Sequence, residues 1–244
     1  MCRFVAYRGV PLYLEELIAR PAHSLMRQAL QAEEAKTITN GDGFGIGWYG
    51  EREIPGVYRE VMPAWSDDNL LALSGTVRSG LFFAHVRAAT GGGIARQNCH
   101  PFRYGRWLFM HNGQIGGYAQ VRRPLEARLP DRLYAERRGA TDSELLFLLA
   151  LDRIERGAPA DQAVLEVLDE TARLMRQLDI EAPLRFSAAL ADGQRLHVFR
   201  HATDGRPPTL YRCDRPEGTV IASEPLEACA QGWQAVPVGA VMTL

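Results

Sequence analysis

The apolar alternation of Cys2-Arg3-Phe4-Val5-Ala6-Tyr7-Arg8 starts at the second residue, so the spacing predicts a β-strand that begins at the chain terminus itself. A chain that commits its first residues to a sheet fixes its terminus in place, and the residue it fixes here is a cysteine. Removal of Met1 would leave a thiol and a free α-amine on that one residue. Their reference pKa values, about 8.5 and about 8, are close enough for a proton to pass between them near neutral pH at little cost. Cys2 would then be a nucleophile with its own base attached.

Leu25, Met26, Ala29 and Leu30 recur at helical spacing behind Ser24, a favoured N-cap, and predict a helix from about Ser24. Phe44 to Tyr49 and Val57 to Glu60 read as strands, and Ser66-Asp67-Asp68 reads as another helix start. Leu81 to Arg87 and Trp107 to His111 are apolar and aromatic runs bounded by glycine, the pattern of buried strands, and both deliver polar residues at their ends. Thr141-Asp142-Ser143-Glu144 opens a helix with Leu145, Leu146, Leu149 and Ile154 on one face, closed by Gly157. A second helix runs from Pro159 to about Leu178, carrying Val164, Leu165, Leu168, Ala172 and Met175. Short strands follow at 184–191, 195–201, 209–213, 219–223 and 235–243, divided by turns such as Ala191-Asp192-Gly193 and Asp204-Gly205. Strands, then a helical pair, then strands indicate an α+β fold with helices packed over sheets. The charged segment from Arg122 to Arg138, interrupted by Pro124 and Pro130, reads either as a flap near the site or as a surface connection.

The 244 residues suffice for a substantial core, and no Pro/Gly/Ser-rich stretch is long enough to be a linker, so residues 1–244 are read as one domain. Lys plus Arg total 28 against 29 for Asp plus Glu, and a net charge of -1 gives no electrostatic case for a nucleic-acid or membrane partner. A small-molecule substrate fits better. The first residues show no basic segment followed by a long apolar run, and no stretch approaches about 18 apolar residues, which makes the cytoplasm the expected compartment. The cysteines at 2, 99, 213 and 229 lie far apart with no CxxC pair, which argues against a zinc knuckle or a disulfide framework. Cys99 beside His100 is a close pair of potential ligands, but sequence neighbours rarely coordinate one ion, so neither a metal nor a cofactor is expected.

Five local patterns occur in a fixed order: Met1-Cys2; Asn40-Gly41-Asp42-Gly43-Phe44-Gly45; His85-Val86-Arg87-Ala88-Ala89-Thr90-Gly91; His111-Asn112-Gly113; and Thr141-Asp142-Ser143-Glu144. With Asn98-Cys99-His100-Pro101-Phe102 and Ala222-Ser223-Glu224-Pro225, they resemble the glutaminase domain of class II glutamine amidotransferases. The resemblance runs from residue 2 to about 226 and owes its specificity to order and spacing. It implies the four-layer αββα sandwich of N-terminal nucleophile hydrolases. The glycine-rich Asn40 to Gly47 lacks the Lys-Ser/Thr of a phosphate loop and is interrupted by Phe44, so it is expected to pack under the site.

Hydrolysis of a side-chain amide needs a nucleophile, a proton carrier, donors for the tetrahedral oxyanion and groups that hold the amino-acid end. The resemblance implies that the Cys2 thiolate attacks the amide carbon, that its α-amine passes the proton to departing ammonia, and that water then hydrolyses the γ-glutamyl thioester. It assigns the oxyanion hole to the Asn112 side-chain amide and the Gly113 backbone N–H, although Asn-Gly alone is as readily a hairpin turn. Arg87, at the end of a buried strand, needs a carboxylate, which is assigned to the substrate, with the Thr90 hydroxyl assisting. Asp142, at a helix start where capping alone explains an acid, binds the substrate α-ammonium by resemblance. His100 is expected to help line the glutamine pocket, whereas His85 and His111 read as hydrogen-bonding residues of the framework.

The chain departs from the larger amidotransferases at Arg3, where they usually have glycine, at Ala88, where they carry an aromatic, and at Gly91, where some have a bulkier polar residue. The expected consequence is an opened pocket wall. Because the glutaminase fold takes up nearly the whole chain, two enzymatic readings stand. One is a stand-alone amidohydrolase cleaving the γ-glutamyl amide of glutamine or a γ-glutamyl compound, similar to the γ-glutamyl hydrolase of ergothioneine biosynthesis. The other is a glutaminase subunit that supplies ammonia to a separate synthase. A non-catalytic γ-glutamyl-binding module is a third reading, against which Cys2, Asn112 and Gly113 argue, because holding the amino-acid end needs only Arg87 and Asp142.

Overall fold

A computed structural model describes residues 2–35, 38–89, 92–227 and 232–244. Its elements run β1 (Arg3–Tyr13), α1 (Glu15–Ile18), α2 (Leu25–Leu30), β2 (Phe44–Trp48), β3 (Gly56–Glu60), α3 (Asp68–Thr76) and β4 (Arg78–Val86). There follow β5 (Phe102–Tyr104), β6 (Trp107–Ile115), α4 (Tyr118–Glu126), α5 (Asp131–Tyr134), α6 (Asp142–Glu155) and α7 (Ala160–Gln177). The chain closes with β7 (Leu184–Ala191), β8 (Leu196–Ala202), β9 (Tyr211–Arg215), β10 (Gly218–Ala222), β11 (Trp233–Ala235) and β12 (Val241–Thr243). The helix starts follow the capping residues read from sequence: Ser24, Asp67 and Thr141 accept from the backbone N–H groups of Arg27, Leu70 and Glu144.

Among the described residues the strands form a seven-stranded sheet, β11-β9-β10-β1-β4-β2-β3, and a five-stranded sheet, β12-β8-β7-β6-β5. Alternation along the strands sorts their side chains into three apolar layers. From β1, Phe4 and Ala6 meet Leu108 and Met110 of β6 and Ala189 of β7 in a layer between the two sheets. Val5 and Tyr7 face the other way, onto Leu17, Leu25 and Leu70 of α1, α2 and α3. Phe109 and Phe186, on the outer face of the second sheet, pack against Leu145, Phe147, Val164 and Leu168 of α6 and α7. Helix, sheet, sheet and helix therefore stack as four layers, as the resemblance implies.

The structure differs from the sequence reading at short elements. The segment 122–138 is neither flap nor plain connection: it holds part of α4 and all of α5, and buries Leu125, Leu129 and Leu133 in the layer under α6. Its many arginines mask an apolar residue every fourth position. The strand expected over 235–243 divides into β11 and β12, which join different sheets across the turn containing Pro237 and Gly239. Helix α1 and strand β5 are too short to leave a periodic signal.

Candidate active site

β1 lies between β4 and β10, with Arg3 opposite Val86, so the residue before the strand arrives beside the residues that follow β4. There the Ala88 N–H donates to Cys2 Sγ at 3.4 Å, and the thiol lies 3.5 Å from the Ala88 carbonyl oxygen. The segment holding Ala88 is itself fixed by Asp42, whose N–H donates to the Arg87 carbonyl at 2.9 Å and whose carboxylate accepts the Ala89 N–H at 2.8 Å. Burial pushes the Cys2 thiol pKa up, and the Ala88 N–H works against that rise.

The Cys2 carbonyl oxygen takes two donors, Arg3 Nε at 2.7 Å and the Asn112 carboxamide Nδ2. Asn112 and Gly113 sit within β6, opposite Ser187 and Phe186 of β7. That register excludes the hairpin-turn alternative. Gly113 has φ +148°, and a β-carbon there would stand 1.9 Å from the Arg185 carbonyl oxygen, so only glycine lets β6 approach β7 at this point. Asn112 is buried, and its Oδ1 has no hydrogen-bond partner among the described residues.

A cavity of about 320 Å³ opens beside the thiol, and its wall includes Cys2, Arg87, His100, Gly113 and Asp142. Five of the residues expected from sequence thus share one cavity, while Asn112 stands behind it on the Cys2 carbonyl. Thr90 lies outside the described residues. Arg87 is almost fully buried and reaches the Asp42 carbonyl at 3.5 Å. Thr141 is the cap of α6, so capping does not account for Asp142. The Asp142 carboxylate instead accepts the Ile115 N–H from the end of β6 and the Ser143 N–H, each at 2.8 Å, and ties strand to helix at the cavity wall.

His85, His100 and His111 are buried together, with the first two rings 4.3 Å apart and His100 4.5 Å from Phe102. Burial lowers the pKa of His85 to about 3 and that of His100 well below its ordinary value. Burial also lowers that of His111, against the opposing pull of the Asp142 charge. These rings are neutral at neutral pH. His111 hydrogen-bonds Ser143 Oγ at 2.8 Å, the framework part expected of it, but it also lines the cavity. The glycine-rich segment packs as expected: a β-carbon on Gly45 would stand 2.2 Å from the His100 carbonyl oxygen, so β2 has to be bare for the His100 turn to lie on it.

Of the departures in sequence, Ala88 lines the cavity whereas Arg3 does not; Arg3 turns away from it onto Glu224, and Gly91 lies outside the described residues. Two further residues escaped the sequence reading. Asp42 organises the Ala88 turn, and the Asn98 side chain clasps the carbonyls of Gly92 and Gly93 while accepting the Ala140 N–H at 2.9 Å. Both stand inside the motifs that carry the resemblance, but a polar side chain that serves the backbone gives no periodic signal. Among the described residues no group of three or more His, Cys, Asp or Glu side chains is placed to hold a metal ion.

Residues 18–216 match the model of the family described as glutamine amidotransferases class-II. The chain is 31% identical to the probable glutamine amidotransferase DUG3 of Saccharomyces cerevisiae, over 100% of this chain and 82% of that protein. It is also 31% identical to the gamma-glutamyl-hercynylcysteine sulfoxide hydrolase of Mycolicibacterium smegmatis, over 97% of this chain and 92% of the relative. Among solved structures it resembles a glutamine aminotransferase class-II domain protein from Silicibacter pomeroyi, with TM-score 0.76 and 36% identity over 99% of this chain and 94% of the other. With the four layers and these relatives in agreement, the chain belongs to the class II glutamine amidotransferase family.

Proposed function

We propose that the protein is an amidohydrolase that cleaves the γ-glutamyl amide of glutamine or of a γ-glutamyl compound through a thioester on Cys2. The observation that carries this reading is that Cys2, Arg87, Gly113 and Asp142 line one cavity. Arg87 takes the substrate α-carboxylate, with the Thr90 hydroxyl assisting, and Asp142 takes the α-ammonium. His100 walls the pocket. The thiolate adds to the amide carbon, and the oxyanion that forms is met by the Gly113 N–H and the Asn112 carboxamide. The Cys2 α-amine, exposed by loss of Met1, carries the thiol proton to the departing amine. Water then attacks the thioester and releases glutamate.

Similarity to a γ-glutamyl hydrolase over 97% of the chain supports catalysis by residues 1–244 acting as one unit. The cytoplasm is the proposed compartment; no helix among the described residues is long and apolar enough to cross a membrane. The test is glutamate release from L-glutamine and from γ-glutamyl peptides by wild type and Cys2→Ala, with the intact mass recorded alongside. A wild-type mass short by one methionine and turnover that vanishes in Cys2→Ala are expected. Turnover that survives in Cys2→Ala sinks the reading, and glutaminase activity seen only with an added synthase assigns the chain to the subunit role.

A further inference from the structure

Arg3 is completely buried, a costly position for a guanidinium unless charge and protons are met. Its Nη1 reaches Glu224 Oε1 at 3.0 Å and Thr209 Oγ1 at 3.2 Å, and its Nε donates to the Cys2 carbonyl at 2.7 Å. Glu224 is buried as well and is held from all sides. Its Oε1 also accepts the Glu34 N–H at 3.0 Å, and its Oε2 accepts the Glu33 N–H at 3.0 Å and meets His23 Nε2 at 2.8 Å. Next to it, Ser223 Oγ accepts the Phe4 N–H at 3.0 Å, which locks the start of β1 to the end of β10. A rigid carboxylate therefore braces the guanidinium, and the guanidinium holds the backbone of the nucleophile.

The same carbonyl carries Asn112 Nδ2, while the other end of that carboxamide is buried without a partner among the described residues. That nitrogen carries two N–H groups, so one can stay on the carbonyl while the other meets an oxyanion. That dual service requires the carbonyl to stay where it is, and Arg3 is the second group that fixes it.

We propose that Arg3, braced by Glu224, is a positioning residue that fixes the Cys2 carbonyl, and with it the thiol and the Asn112 carboxamide bonded to the same oxygen. The inference rests on the amidohydrolase reading above. Folded Arg3→Gln and Glu224→Gln proteins, assayed on L-glutamine and a γ-glutamyl anilide, are expected to lose about 10–100-fold in kcat with KM changed less than about threefold. The midpoint pH for iodoacetamide alkylation of Cys2 is expected to rise in Arg3→Gln, because the Arg3 charge favours the thiolate. Arg3→Lys, which restores the charge and one donor, recovers part of kcat. Wild-type kcat in a folded Arg3→Gln, or a change confined to KM, overturns the proposal. Should the variants not fold, a crystal structure of Cys2→Ala with bound L-glutamine decides: Arg3 still on both Glu224 and the residue-2 carbonyl supports it, and Arg3 released from that carbonyl refutes it. Turnover persisting in Cys2→Ala defeats the underlying reading instead, so the two failures are told apart.

Discussion

Gly113 illustrates how little freedom a single position in this site retains. Its positive φ and the Arg185 carbonyl beneath it leave no room for a methyl group. Gly113→Ala must displace the backbone N–H proposed for the oxyanion, so kcat should fall by about 10²–10³-fold, and stability by about 1–3 kcal/mol. Stopped assays and urea titration measure the two effects; an unaltered kcat would remove Gly113 from the mechanism. Arg87→Lys should leave kcat nearly intact and raise KM at least about tenfold, because a point ammonium cannot replace a two-pronged guanidinium. An unchanged KM would mean that Arg87 does not meet the substrate carboxylate. At this scale much of the site was legible: Cys2, Arg87, His100, Gly113 and Asp142 share a cavity. What sequence could not supply was direction, since nothing in Asn112 or Arg3 tells that both side chains converge on the Cys2 carbonyl.

At the level of elements, the end of β4 and the turn before β5 press two neutral histidines together without hydrogen-bond partners for their ring nitrogens among the described residues. His85 is held neutral down to about pH 3 when folded, whereas it takes up a proton near 6.5 when unfolded. The folded chain is thus favoured fully above about pH 6.5 and loses that advantage as the pH falls toward about 3, with His100 and His111 acting in the same direction. Urea midpoints measured between pH 7 and pH 4.5 should drop, and His85→Gln should flatten the drop. Equal slopes in the two proteins would discard the argument. The elements that announced themselves were those with a long apolar period, β4, β6, α6 and α7. Those that did not, α4 and α5, hide their apolar stripe among arginines and a proline.

For the whole molecule, the layer between the sheets ties the two halves together, because side chains of both sheets meet there and, among the described residues, no helix contributes. Phe83, fully buried in that layer, should cost about 3–5 kcal/mol when replaced by alanine, seen as a lowered thermal midpoint. A loss under about 1 kcal/mol would show that the layer relaxes around the gap. The α+β class and the helical layer could be read from the order of periodic segments. The strand order could not, because β1 and β10 pair across nearly the full length of the chain and local pattern carries no record of so distant a partner.

That pairing also sets a timetable for synthesis. A strand inside a sheet closes only when its second neighbour arrives, and for β1 that neighbour is made from residues 218–222. All the described strands but β11 and β12 have been made by then. Throughout that interval one edge of the leading segment stays unzipped, so Cys2 meets its finished surroundings late in synthesis.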